Sequence, residues 1–307
     1  MCTILLYYRY MKLNTQQTFS GERAEYFSKD VQYDGAVCCD GESPLKHAKN
    51  ISVNNGSFEW KYPLWNTNDA RVSNSTFKEM SRSGLWYSEN TRIDNTVIDA
   101  PKEFRRARGI YLTDVVFNNA AETMWSCSDI QLKNVTIKKG DYFAMNSSNF
   151  YAENLDLDGN YFLDGGKNIE IHNSRLLSKD AFWNCENVTV YDSYINGEYL
   201  GWNSKNLKFV NCTIESNQGL CYIDGLTLID CTLNNTDLAF EYVSNINAEI
   251  KNKIISIKNP FSGIIKAEEI GTLIMNPKRV DVSKTEIICN KIGEKYTEDP
   301  NPNERIY

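Results

Sequence analysis

A single column of asparagine and aspartate limits what this 307-residue chain can fold into. Asn55, Asn74, Asn95, Asp114, Asn134, Asn154, Asn173, Asp192, Asn211 and Asp230 recur every 19 to 21 residues without exception. Each stands two residues after an apolar anchor: Val53, Val72, Ile93, Leu112, Leu132, Ala152, Ile171, Val190, Phe209 and Leu228. Three residues before the anchors come Asn50, Asp69, Asn90, Gly109, Asp129, Asn149, Asn168, Asn187, Asn206 and Gly225. A fixed period of this length marks stacked supersecondary units. Asn, Asp and Gly tolerate left-handed backbone angles, so both polar columns predict corners. One repeat therefore reads turn, short strand, turn, short strand.

The apolar columns agree. Phe58, Phe77, Ile98, Phe117, Ile137, Leu157, Leu176, Ile195, Ile214 and Leu233 stand five residues after the anchors. Within a repeat, apolar and polar residues alternate with period two, the signature of a strand. A unit of this size leaves no room for a useful helix. The expected fold is all-β: a single-stranded parallel β-helix, a solenoid of roughly ten coils with irregular ends. Stacking sets equivalent residues about 4.8 Å apart, so the Asn/Asp column is expected to run inside as an amide ladder. The pattern predicts an N-terminal extension and cap over 1–41, one continuous β-helix over 42–275, and a C-terminal cap with a polar tail over 276–307.

Net charge of -7 argues against a general nucleic-acid role. No apolar run approaches the ~20 residues of a membrane span. The opening Met1–Tyr8 lacks the small-residue cleavage site of a signal peptide, and Met11 is an equally good start. Nine cysteines form no CxxC pair, which favours reduced, mostly buried thiols and a cytoplasmic location. Cys212 and Cys231 share one column and are expected to pack as small hydrophobes. His47 and His172 are isolated, and neither a metal nor a cofactor is expected.

The run Ser178-Lys179-Asp180-Ala181-Phe182-Trp183-Asn184-Cys185-Glu186-Asn187, continued by Gly197-Glu198-Tyr199-Leu200-Gly201-Trp202-Asn203-Ser204, resembles a domain-of-unknown-function family. Gly21-Glu22-Arg23-Ala24 and Lys61-Tyr62-Pro63-Leu64-Trp65 match it as well. Its members are similar to pectin-lyase-like right-handed β-helices. The resemblance implies that fold and handedness over most of the chain, and it implies no activity.

Seven residues before each anchor runs a second column: Trp65, Trp86, Arg105, Trp125, Met145, Asp164, Trp183, Trp202 and Cys221. One residue earlier the column is Leu64, Leu85, Phe104, Met124, Ala144, Leu163, Phe182, Gly201 and Leu220. Neighbours on a strand face opposite sides, and burying Arg105 or Asp164 unpaired would be costly. The tryptophan column is therefore expected outside, where an aromatic stripe marks an interaction surface.

Trp65, Trp86, Arg105, Trp125, Trp183, Trp202 and Tyr199 are the candidate sugar-binding residues. Asp164, Lys179, Asp180 and Glu198, on three successive coils, are the candidate catalytic cluster. The functional expectation is a carbohydrate-interacting β-helix, as a binding module or as a hydrolase or lyase, with an oligo- or polysaccharide as partner. The contrasting expectation is a non-enzymatic scaffold whose stripe holds another protein or a second copy. No membrane or nucleic-acid partner is expected.

Overall fold

The computed structural model describes residues 11–298 and Pro300. By internal contacts the chain divides into two compact units, 1–159 and 160–307. Each unit is a stack of parallel coils. In the first, eight strands follow one another up the stack: Lys12–Thr15, Lys29–Asp34, Lys49–Asn54, Asn68–Ser73, Glu89–Ile98, Arg108–Phe117, Ser128–Ile137 and Ser148–Asp158. In the second there are seven: Lys167–His172, Glu186–Tyr191, Lys205–Val210, Asp224–Asn234, Ser244–Lys258, Gly263–Ile274 and Thr285–Tyr296. Among the described residues there is no α-helix, hence none long and apolar enough to cross a membrane.

The predicted register is the observed one. Val53 pairs with Val72, Ile93 with Leu112, and Leu112 with Leu132. In the second unit Ile171 pairs with Val190, Val190 with Phe209, and Phe209 with Leu228. These anchors and the column five residues on are buried, and Phe58 stacks on Phe77 with ring centroids 4.5 Å apart.

The coils outnumber the expected ten because both ends continue the stack. Tyr33 pairs with Val53 and with Asn14, so the segment expected as a cap over 1–41 is coiled from Lys12 onward. Ala248 pairs with Ile265 and Ile265 with Ile287, which carries the coils to Tyr296 in what was expected to be a tail. Backbone pairing tolerates side chains that break the column pattern. Residues 1–10, which hold the first candidate start, lie outside the described residues.

The Asn/Asp column is not internal. Asn134 is exposed with φ 53°, donating through Nδ2 to Asp114 Oδ1 at 2.9 Å and accepting from Asn154 at 2.9 Å. Asn211 in the second unit is also exposed, φ 51°, and donates to Asp192 at 2.7 Å. At a corner the left-handed backbone turns the side chain out towards solvent, so the amides stack along the outer edge. Inside several corners sits a small polar residue, while Val115, Val135 and Leu155 fill those after Asp114, Asn134 and Asn154. Ser75 accepts from Gly56 N–H, Ser193 from Ser174 N–H, and Ser204 from Cys185 N–H, at 2.9 to 3.0 Å. Cys127, Cys185, Cys212 and Cys231 occupy these same serine-like positions, all buried. Cys212 and Cys231 direct their sulfurs at the backbone carbonyls of Val190 and Phe209. Burial pushes the Cys127 and Cys185 thiols up to about 12.

One corner breaks the usual residue preference. Phe104, Met124, Leu163, Phe182 and Leu220 have φ between 53° and 62° and are fully buried. A left-handed bulky residue costs about 1–2 kcal/mol. Burying such a side chain contributes about 1.5–3 kcal/mol, which offsets the strain. This sharp bend turns one residue inward and delivers its neighbour, the candidate site column, outward.

Candidate functional site

In the first unit, Trp65, Trp86, Arg105 and Trp125 stand outward of the buried Leu64, Leu85, Phe104 and Met124, and each is half-buried. Isolated parallel bridges join Trp86 to Arg105 and Arg105 to Trp125. The Trp65 and Trp86 ring centroids lie 5.2 Å apart. The Arg105 guanidinium sits 4.4 Å from the Trp86 ring and 4.6 Å from that of Trp125, filling the space between two indoles. Its Nε and one terminal nitrogen are buried without a hydrogen-bond acceptor, while Glu122 lies 3.7 Å away and also pairs with Lys102 at 3.0 Å. Ring faces attract a cation through their quadrupole, which explains how the charge tolerates this position. Indole N–H groups close the arrangement: Trp86 donates to the Lys102 carbonyl at 2.7 Å and Trp125 to that of Tyr142 at 2.8 Å.

The second unit carries a longer row. Trp183 and Trp202 are half-buried with centroids 6.1 Å apart, and Tyr161 meets Trp183 edge-on at 5.9 Å. Tyr199 meets Trp202 edge-on at 5.9 Å, and its carbonyl accepts from the Trp183 indole at 2.8 Å. Beyond Trp202 the row continues through residues absent from the expected set. Tyr222 lies 4.2 Å from Trp202, Tyr242 5.4 Å from Tyr222, and Phe261 5.1 Å from Tyr242. Cys221, expected outward, is fully buried, because the coil shifts by one residue and Tyr222 takes the outward place. The signal was present: positions 183, 202, 222, 242 and 261 keep the coil period even where the anchor count slips.

The four candidate catalytic residues divide. Lys179 Nζ lies 3.3 Å from Glu198 Oε2, both side chains about half exposed, and the pairing holds the lysine above its usual range. Asp180 is 2% exposed with Oδ1 unpartnered; burial raises its carboxyl above the usual range, partly opposed by Lys179 and by a hydrogen bond with Tyr161. Asp164 belongs to a different corner. Its Oδ1 accepts from Asn184 at 2.9 Å, and Asn184 accepts from Asn203 at 2.8 Å. The structure thus brings Lys179, Asp180 and Glu198 to one turn and assigns Asp164 to an outer amide stack. Among the described residues, no group of three or more His, Cys, Asp or Glu side chains is placed to hold a metal ion. His172 stacks on Tyr191 at 4.6 Å and pairs with Glu170.

These coils and columns define an all-β parallel β-helix with an aromatic outer row. The chain belongs to the family described as "Protein of unknown function (DUF3737)", whose model matches residues 12–288. No curated protein matches the sequence. Among solved structures the chain is similar to PfbA, a surface adhesin of Streptococcus pneumoniae, at 9% identity and TM-score 0.42, covering 92% of this chain and 83% of that one. It is also similar to the A-module of the Azotobacter vinelandii mannuronan C-5 epimerase AlgE4, at 11% identity and TM-score 0.26, covering 96% of this chain and 90% of that one.

Proposed function

We propose that this protein is a carbohydrate-interacting β-helix whose aromatic row contacts the sugar. The observation that carries this reading is the row in residues 160–307, where half-buried Trp183, Trp202 and Tyr222 succeed one another on adjacent coils. Such amphipathic side chains present an apolar body with a polar tip, which suits a ligand of C–H faces and hydroxyls. Lys179 and Glu198 add charged hydrogen-bonding groups beside Tyr199, whose ring lies 5.8 Å from the Lys179 ammonium. If the protein also cleaves its ligand, Asp180 and Glu198 are the pair for it. Glycoside hydrolysis uses two carboxyls, and burial raises the Asp180 carboxyl above its ordinary range. Cytoplasmic residence is part of the proposal, supported by cysteines that take serine-like packing positions.

One observation favours a second reading, a non-enzymatic scaffold whose stripe meets a partner protein or a second copy. The indole N–H groups of Trp86, Trp125 and Trp183 all donate to backbone carbonyls, which builds the rings into the wall. A glycan array with a reducing-end activity screen, run on wild type, Trp183→Ala and Trp202→Ala, separates the two. Carbohydrate contact requires a glycan hit that both variants lose while their melting temperatures stay near wild type. Variants that melt far lower, by the roughly 3–5 kcal/mol of a truncated buried tryptophan, with glycan binding unchanged or absent throughout, decide for the scaffold.

A further inference from the structure

A separate groove lies on the outer face of the strands from Lys29 to Phe117, in the first unit. It has a volume of about 390 Å³ and is lined by polar and charged side chains. Its floor is the outward column one residue before the anchors, where Arg71 pairs in register with Arg92 and Arg92 with Tyr111. Two arginines thus stand on adjacent rungs, about 4.8 Å apart at the backbone. Among the described residues Arg92 has no ion-pair partner; its guanidinium lies over the Tyr111 ring at 4.1 Å, which orients it without neutralising it. Lys49 adds a third cation.

The acids of the groove are already engaged. Asp30 accepts from Asn50 at 2.7 Å and Asp69 from Asn90 at 3.2 Å, as steps of the outer corner stack. Three cationic and two anionic side chains leave this groove net positive in a chain of net charge -7. Arginine forks match carboxylate and phosphate oxygens in pairs, and the Tyr111 ring holds the Arg92 fork in this groove. The corner amides and carboxylates beside them offer acceptors and donors for hydroxyls.

We propose that this groove is an oxyanion site for a small hydroxyl-rich acid, a sugar bearing a carboxylate or a phosphate. It uses none of the aromatic-row residues, so it stands or falls independently of the function proposed above. Isothermal titration of the full chain with glucuronate, glucose 6-phosphate, glucose and inorganic phosphate tests it. At least one acidic sugar should bind, more tightly than glucose and than inorganic phosphate, and more weakly as salt rises. A result with glucuronate alone identifies the carboxylate as the anion, and one with glucose 6-phosphate alone identifies the phosphate. Arg92→Gln should weaken binding tenfold or more, and Lys49→Gln, on an exposed side chain, should weaken it with an unchanged melting temperature. The proposal is overturned if neither acidic sugar binds, if glucose or inorganic phosphate binds as well, or if both variants bind like wild type.

Discussion

Replacing Glu103 by Gln should make residues 11–159 less sensitive to rising pH. Glu103 is fully buried; its Oε2 accepts from the Gly84 N–H at 2.7 Å and its Oε1 has no partner. Gly84 makes this approach feasible, since a Cβ there would stand 2.6 Å from Oε2. Burial holds the carboxyl well above its ordinary value of 4.5, against the smaller opposing effect of the Gly84 and Leu85 N–H groups. The folded state therefore keeps a proton that the unfolded state has lost. Stability from this group is complete below about pH 4.5 and falls as pH rises towards the folded value, by about 1.4 kcal/mol per pH unit.

Glutamine keeps the acceptor for Gly84 and removes the titration. Its amide nitrogen would take the unpartnered Oε1 place, a cost of about 1–3 kcal/mol that is the same at every pH. The slope, not the offset, is thus the readout. With about 2–4 °C per kcal/mol for a unit of this size, Glu103→Gln should gain about 3–6 °C on wild type per pH unit between pH 4.5 and the folded value, and nothing more beyond it. Differential scanning fluorimetry from pH 4.5 to 8 measures it. Parallel melting curves for the two proteins would refute the buried, protonated carboxyl.

Asn134→Leu should cost about 1–2 kcal/mol, from the left-handed strain at φ 53°, and Asn134→Gly should recover most of it; urea titration showing equal losses for both would point to the Asp114 hydrogen bond instead. Cys127, Cys185 and Cys221, their thiols pushed up to about 12 by burial, should resist a thiol reagent at pH 8 in native protein and label only on unfolding. The half-buried Cys39 and Cys289 should label first. Mass spectrometry that finds prompt labelling of Cys185, or a Cys212–Cys231 disulfide, would contradict the packing role.

Much of the fold was legible because a β-helix superposes equivalent residues at a fixed rung spacing, which writes its register directly into the sequence. The anchors paired as expected, from Val53 with Val72 to Phe209 with Leu228. The inward and outward assignment of Leu64 with Trp65 and of Phe182 with Trp183 also followed, although both pairs sit in turns, where the bend rather than strand alternation sends neighbours to opposite sides. Tertiary structure decided the rest. Composition alone could not say that the corner asparagines point outward, because that direction depends on the left-handed backbone angle and on the following residue filling the corner from inside. The one-residue shift that buries Cys221 and presents Tyr222 was legible in the period of positions 183, 202, 222, 242 and 261, but only the structure shows Tyr222 packed 4.2 Å from Trp202. Asp164 and Asp180 look alike as letters in one cluster, yet one joins an exposed amide stack and the other is buried with an unpartnered oxygen. Periodicity fixes where backbones stack; which neighbouring rung a side chain answers to is settled only when the rungs are in contact.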